Sequence, residues 1–333
     1  MNFVGRTPSS DSGPVEYSII NFDARADDPR AVTDWVFAWL SSPELCELFR
    51  VFGHSLARGS VRDRLFEAES ISHDIFDFRQ GGERWEAART TFDEDTSRIA
   101  DEVIALLYRE PAATATAELG RVDHALVLGA RINSCLLRGE LMRRLLDEDL
   151  DVGHVWGLGS RREVGQVEID GAAALGAHDV RDELDAMAVA LQHTLDLPEG
   201  PPPTRDSVSE VRTLATEPRP VTGLAAAPGP GKPRATTSDT YRFFLDTAGS
   251  VGRGDHLLIV TSAIHAPFQH AQAIGELGLA TGATISTVGA HISASQNPAV
   301  RTEWTTAEWL QEIRSTIWSM KQMYLALEAA GAR

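Results

Sequence analysis

Cysteine is nearly absent: Cys46 and Cys135 are the only two in 333 residues, far apart and without metal-type spacing. That argues against a disulfide scaffold and for free thiols in a reducing compartment. Basic charge is also short, with 31 Lys and Arg against 48 Asp and Glu and a formal net charge of −17. Nucleic acids and anionic membranes need basic surface to neutralise their phosphates, so neither is expected as a partner, although a local basic pocket stays compatible. No apolar run approaches the roughly 20 residues of a membrane helix. The opening MNFVGRTPSSDSGPVEY has neither the basic nor the apolar region of a signal peptide. The expectation is a cytoplasmic protein. Several motifs are missing too. There is no G-x-S-x-G elbow, no P-loop, no G-x-G-x-x-G fingerprint, and no HExxH-like spacing among histidines such as His54, His73, His193 and His291. A serine-triad hydrolase, P-loop ATP chemistry, a nicotinamide dehydrogenase and a metal centre are therefore not expected.

What is present is 43% hydrophobic and 24% charged, enough for a sizeable core in one large or two modest domains. A polar tail is expected over 1–14 and a short strand over 17–22. Thr33 is a candidate N-cap ahead of Trp35, Val36, Trp39 and Leu40, and Ser42-Pro43-Glu44 is a second start signal. Helical patterns follow over 61–68, 84–89 and 97–108, so residues 1–115 read as a helical N-terminal region.

From residue 116 the pattern changes to VDHALVLGA (122–130), a helix over 136–150, VGHVWGL (152–158) and a helix over 179–195. The unbroken run Leu257-Leu258-Ile259-Val260 suits a strand buried on both faces. A helix from Pro267, a strand over 283–288 and a long helix over 303–330 complete the chain. These predict an α/β fold: a Rossmann-like parallel sheet flanked by helices, with a helical N-terminal extension and a long C-terminal helix. The Pro/Gly density over 197–233 predicts an insertion, with a short strand at 211–215 and a mobile loop at 218–233.

In such sheets ligands bind outside the carboxyl ends of the strands. Gly129, Ala130 and Arg131 end the first buried strand, where small residues let a ligand approach and a helix start favours an anion. Arg131 and Arg138 are candidates to hold a phosphate or carboxylate. Gly157 and Gly159 read as a glycine turn, and Arg161 and Arg162 stay open between an anion site and a solvated turn. Ser238, Asp239 and Thr240 either cap a helix or face the crevice. Thr261 and Ser262 end the last buried strand as hydrogen-bond donors. His265 follows as a general acid/base titrating near neutrality, and Glu183 is a second candidate acid/base.

Taken in order, Leu128-Gly129-Ala130, Arg138, Gly157 to Gly159, Glu183 with Met187, Thr237 to Thr240, and Val260-Thr261-Ser262 with His265 resemble the ElyC/SanA/YdcF family. The resemblance covers about residues 121–290, and VTSAIHAP is its most specific part. It departs at Phe268-Gln269-His270, where the family usually has Arg, and at Asp239, where it usually has Asn. The resemblance implies a Rossmann-like fold and, in one branch, S-adenosylmethionine binding. The expected function is a cytosolic hydrolase or group transferase binding a nucleotide-like or phosphorylated small molecule. The alternative is a non-catalytic nucleotide- or S-adenosylmethionine-binding module that docks a partner. A homo-oligomer is compatible with the long Trp-bearing last helix.

Overall fold

In a computed structural model of the chain, the described residues are 17–22, 24–25, 28–56, 58–78, 90–109, 115–198, 207–292, 295 and 304–331. The tail over 1–14, the helical pattern over 84–89 and residues 199–206 lie outside them. The N-terminal part comprises β1 (Tyr17–Ile20), β2 (Ala24–Arg25), α1 (Pro29–Leu40), α2 (Pro43–Val51), α3 (Val61–Phe76), α4 (Glu94–Ala105) and β3 (Tyr108–Arg109). Then come α5 (Ala115–Leu119), β4 (Val122–Leu128), α6 (Ile132–Asp147), β5 (Val152–Ser160), α7 (Gln166–Ala174), α8 (Glu183–Thr194), β6 (Glu210–Ala215), β7 (Val221–Ala226) and α9 (Thr237–Ala248). The chain continues with β8 (His256–Ser262), a 3-10 turn (Ala263–His265), α10 (Ala266–Ala273), a π-turn (Ile274–Gly278), α11 (Leu279–Thr281), β9 (Thr284–Ala290) and α12 (Thr306–Gly331).

Five strands run parallel in the spatial order β9-β8-β4-β5-β7. The first of them in sequence is central, the next two lie to one side and the last two to the other, which is the doubly wound Rossmann-like order. Antiparallel β6 edges one side, while β1 and β2 pair with β9 and β3 pairs with β1 on the other. The parallel strands are continuously apolar because helices cover both faces. Leu126, Leu128, Trp156, Leu257 and Ile259 face a layer built with α1 to α4, α9, α10 and α12. Ala125, Val127, Val155, Leu258 and Val260 face α6, α7 and α8. The sequence-predicted α/β architecture is what the chain adopts.

Several local expectations are corrected. Helix α1 starts ahead of Thr33: Asp28 Oδ1 accepts from the Ala31 N–H at 2.9 Å, and Thr33 sits inside the helix donating to the Pro29 carbonyl at 2.8 Å. Ser42 caps α2 as its spacing predicts. The helical region contributes β1 directly to the sheet and shares a core with α12. The expected loop over 218–233 contains β7, whose six residues are all buried beside β5. VTGLAA has weak strand propensity, and burial between two layers overrides it. Gly157 and Gly159 form no turn but lie within β5. A Cβ on Gly157 would stand 2.6 Å from Leu191 Cδ1, and one on Gly159 would stand 3.0 Å from Leu184 Cα. Glycine is there because α8 crosses the strand closely.

Candidate functional site

The carboxyl ends of β4, β5 and β8 open into a cleft of about 980 Å³. It lies where the strand order reverses between β4 and β8, the switch point at which doubly wound sheets bind ligands. Gly129 and Ala130 leave β4 and Arg131 takes the N-cap position of α6, with the Ser134 and Cys135 N–H groups bonded to its carbonyl. A Cβ on Gly129 would stand 2.3 Å from the Leu158 carbonyl oxygen and 3.1 Å from Glu183 Oε1. Only glycine lets those groups come together.

Glu183 is the first residue of α8, and Asp182 caps that helix by accepting from the Asp185 N–H at 2.9 Å. A buried charge network holds this helix end. Arg161 donates to Asp182 at 2.7 Å and to Glu210 at 2.8 Å, and Arg212 donates to Glu210 at 2.7 Å and to Asp185 at 2.9 Å. The Ser160 hydroxyl donates to Glu183 Oε2 at 2.5 Å. Glu183 is half-buried as a residue and lines the cleft. Burial raises its pKa above the usual carboxylate value, against the pull of Ser160, Arg162 and Arg138.

The 3-10 turn after β8 puts His265 on the same cleft. Its Nδ1 lies 3.4 Å from Oε2 of Glu312, a residue 3% exposed on α12, and its ring centre is 5.9 Å from that of Trp304. The Tyr108 hydroxyl donates to the Ala263 carbonyl and pins the turn. Burial, reinforced by Glu312, pushes the Tyr108 pKa up, so that hydroxyl stays a donor.

The predicted site residues divide into two groups. Gly129, Ala130, Arg131, Arg138, Gly159, Glu183, Thr240 and His265 line the cleft, whereas Gly157, Ser238, Asp239, Thr261 and Ser262 do not. Arg138 is 1% exposed; Nη1 donates to the Leu128 and Gly129 carbonyls at 2.6 and 2.8 Å, and Nε to Ser262 Oγ at 3.2 Å. It ties the end of β4 to the end of β8 rather than offering an open fork. Thr261 is fully buried and donates to Gln269 Oε1. Ser238 Oγ accepts from Gln272 at 3.2 Å, and Asp239 belongs to the α9 capping box with Thr236. Arg161 and Arg162 do not form a solvated turn: Arg161 is held by Asp182 and Glu210, and Arg162, on the cleft wall, forms a bidentate pair with the 2%-exposed Glu168 at 3.0 and 3.1 Å. Burial works to raise the Glu168 pKa, but Arg162 and the Gly165 N–H outweigh it and hold it low.

Ser160, Gln269, Trp304, Glu308, Gln311 and Glu312 also line the cleft and escaped the sequence reading. The last three had a signal: polar residues at helical spacing on a face of α12 otherwise read only for its apolar stripe. Among the described residues, no group of three His, Cys, Asp or Glu side chains is placed to hold a metal ion.

Residues 23–107, which end just before β3, match a family model described as the Rv3785 N-terminal domain. The chain is 29% identical over 337 aligned positions to the uncharacterized protein Rv3785 of Mycobacterium tuberculosis, across 90% of this chain and 91% of that relative. An uncharacterized protein of Mycobacterium bovis matches equally, at 29% identity over the same shares. No solved structure matches the chain. Among the described residues, no helix is long and apolar enough to cross a membrane.

Proposed function

We propose that the chain is an enzyme of ElyC/SanA/YdcF type, a hydrolase or group transferase acting on a nucleotide-like or phosphorylated small molecule in this cleft. The observation that carries the reading is the His265–Glu312 pair, at 3.4 Å, on the same cleft as Glu183 with its raised pKa. Two titratable groups with opposed environments are what acid–base chemistry requires. His265 takes the proton from an attacking water or hydroxyl, and Glu312 steadies the resulting imidazolium. Glu183 supplies a proton to the departing oxygen. Arg131 at the start of α6 and Arg234, both exposed and both lining the cleft, favour an anionic group on the ligand in an otherwise acidic chain. A cytoplasmic setting belongs to the same proposal and is supported by the unpaired Cys46 and Cys135.

The test is a thermal-shift screen against nucleotides, S-adenosylmethionine and its products, and sugar phosphates, followed by turnover assays of each hit. A ligand at a hundred times its dissociation constant adds about 2.7 kcal/mol and raises the melting temperature. His265→Ala should lower turnover roughly 10²–10⁴-fold with binding kept. A bound ligand that is never turned over, with only a small affinity change in His265→Ala, would sink the enzyme reading. The binding-module alternative would then replace it.

A further inference from the structure

Gln269 lies one helical turn beyond His265 on α10 and lines the same cleft, yet the acid–base reading gives it no task. It is only 7% exposed. Its Oε1 receives the hydroxyl of Thr261, which is itself fully buried on β8. With the oxygen bonded to Thr261, the Nε2 hydrogens of this cleft-lining side chain are bonded to no described residue. A carboxamide buried this deeply is costly unless its donors are met, and here what meets them enters through the cleft. The surroundings restrict the choice. The wall formed by Trp304 and the start of α12 presents Glu308, Gln311 and Glu312, with no lysine or arginine among its described lining residues. Arg138, the cation tied to the end of β8, already holds two carbonyls and Ser262.

We infer that Gln269, oriented by Thr261, is a substrate-binding group that donates to an uncharged or singly charged acceptor oxygen beside His265. The inference rests on the enzyme reading and narrows its substrate. The reacting group is an ester carbonyl or a phosphodiester, and a dianionic phosphate monoester is disfavoured at this position. A neutral donor beside two carboxylates stabilises charge as it develops on such an oxygen, but does not offset the repulsion of a full dianion. Any permanently anionic part of the ligand is left to Arg131 and Arg234. Thr261 acts as a positioning residue, because loss of its hydroxyl frees the carboxamide to flip.

Three chromogenic probes test this on the full chain: p-nitrophenyl acetate, bis(p-nitrophenyl) phosphate and p-nitrophenyl phosphate, which are neutral, singly charged and doubly charged. The wild type should turn over one of the first two with higher kcat/KM than the third. Gln269→Glu should lower that value by roughly tenfold or more, the scale of one hydrogen bond to a charged centre. Gln269→Arg should shift the preference towards the dianion by a similar factor. Thr261→Val, which keeps the shape, should lower kcat/KM without changing the melting temperature enough to account for it, and it stands in if Gln269→Glu does not fold. Preferences unchanged within about twofold in all three variants, while His265→Ala abolishes turnover, would overturn the role of Gln269 and leave the enzyme reading standing. Turnover of none of the probes would overturn the inference, and turnover indifferent to His265→Ala would sink the enzyme reading with it.

Discussion

Glu183 and Arg138 are both charged and both deep in the cleft, but they are expected to respond to mutation in opposite ways. Burial raises the Glu183 pKa from 4.5, so between that value and the folded one the native state holds a proton the unfolded chain has released. The associated stability is present below pH 4.5 and is lost as the pH rises through the folded pKa. Glu183→Gln should therefore melt at or above the wild type at pH 7, and the difference should vanish below pH 4.5. Its turnover should fall roughly 10²-fold or more. A variant that melts below the wild type at pH 7 would contradict this assignment. Arg138→Met strands two carbonyls and a serine hydroxyl that are now satisfied, at about 1–3 kcal/mol for each group left buried. A loss of about 3 kcal/mol or more in denaturant unfolding is expected. Unchanged stability with lost ligand binding would instead mean that Arg138 is a ligand fork after all.

Among the elements, α8 and α9 carry the predictions. Gly159 meets the backbone of α8: an alanine methyl there would stand only 3.1 and 3.0 Å from the Leu184 N and Cα, whereas one on Gly157 would meet the movable ends of Leu191 and Met187. Gly159→Ala should therefore push the start of α8, and Glu183 with it, costing about 1–3 kcal/mol and most of the activity. Gly157→Ala should cost less of both, which melting curves and turnover measured side by side will show. At α9, burial works against the Asp239 carboxylate, but the Thr236 hydroxyl and N–H and the Lys232 ammonium outweigh it and hold its pKa at about 2. The stability this confers is present above pH 3.8 and is lost as the pH falls towards 2. Asp239→Asn should cost about 2 kcal/mol at neutral pH and nearly nothing at pH 2. The capping role of this cluster was legible as one of two readings of Ser238-Asp239-Thr240. The other needed the direction of α9, which its own residues do not specify: Thr240 lines the cleft, and Ser238 faces Gln272.

At the scale of the whole molecule, His270 marks the joint between the N-terminal helices and the sheet. Its ring stands edge-on to Phe22 and Trp35, at 6.4 and 5.6 Å, and Nδ1 pairs with the Thr287 hydroxyl at 2.9 Å. Burial pushes its pKa down from 6.5 to about 3. The unfolded chain binds a proton there that the native state refuses, so stability is full above pH 6.5 and falls as the pH drops. By pH 5 the loss from this residue is about 2 kcal/mol. Urea unfolding from pH 7 to pH 5 should show it, and His270→Leu should flatten the slope. An equally steep slope in the variant would assign the acid lability elsewhere.

The sequence alone determined the α/β class, the positions of β4, β5, β8 and β9, the long last helix and the residue types at the strand ends. Each of these follows from local periodicity, caps and unbroken apolar runs, which need no knowledge of neighbours. Only the tertiary structure decided that VTGLAA is a strand, since its burial comes from β5 and the layers around it. Only the tertiary structure, too, separated the residues that line the cleft from those that brace it. Thr261 and Ser262 are neighbours on one strand, yet one orients Gln269 and the other receives Arg138. His265 meets Glu312 across the chain rather than along it. Such pairings depend on which faces are brought together in packing, and that information is not carried by any one stretch.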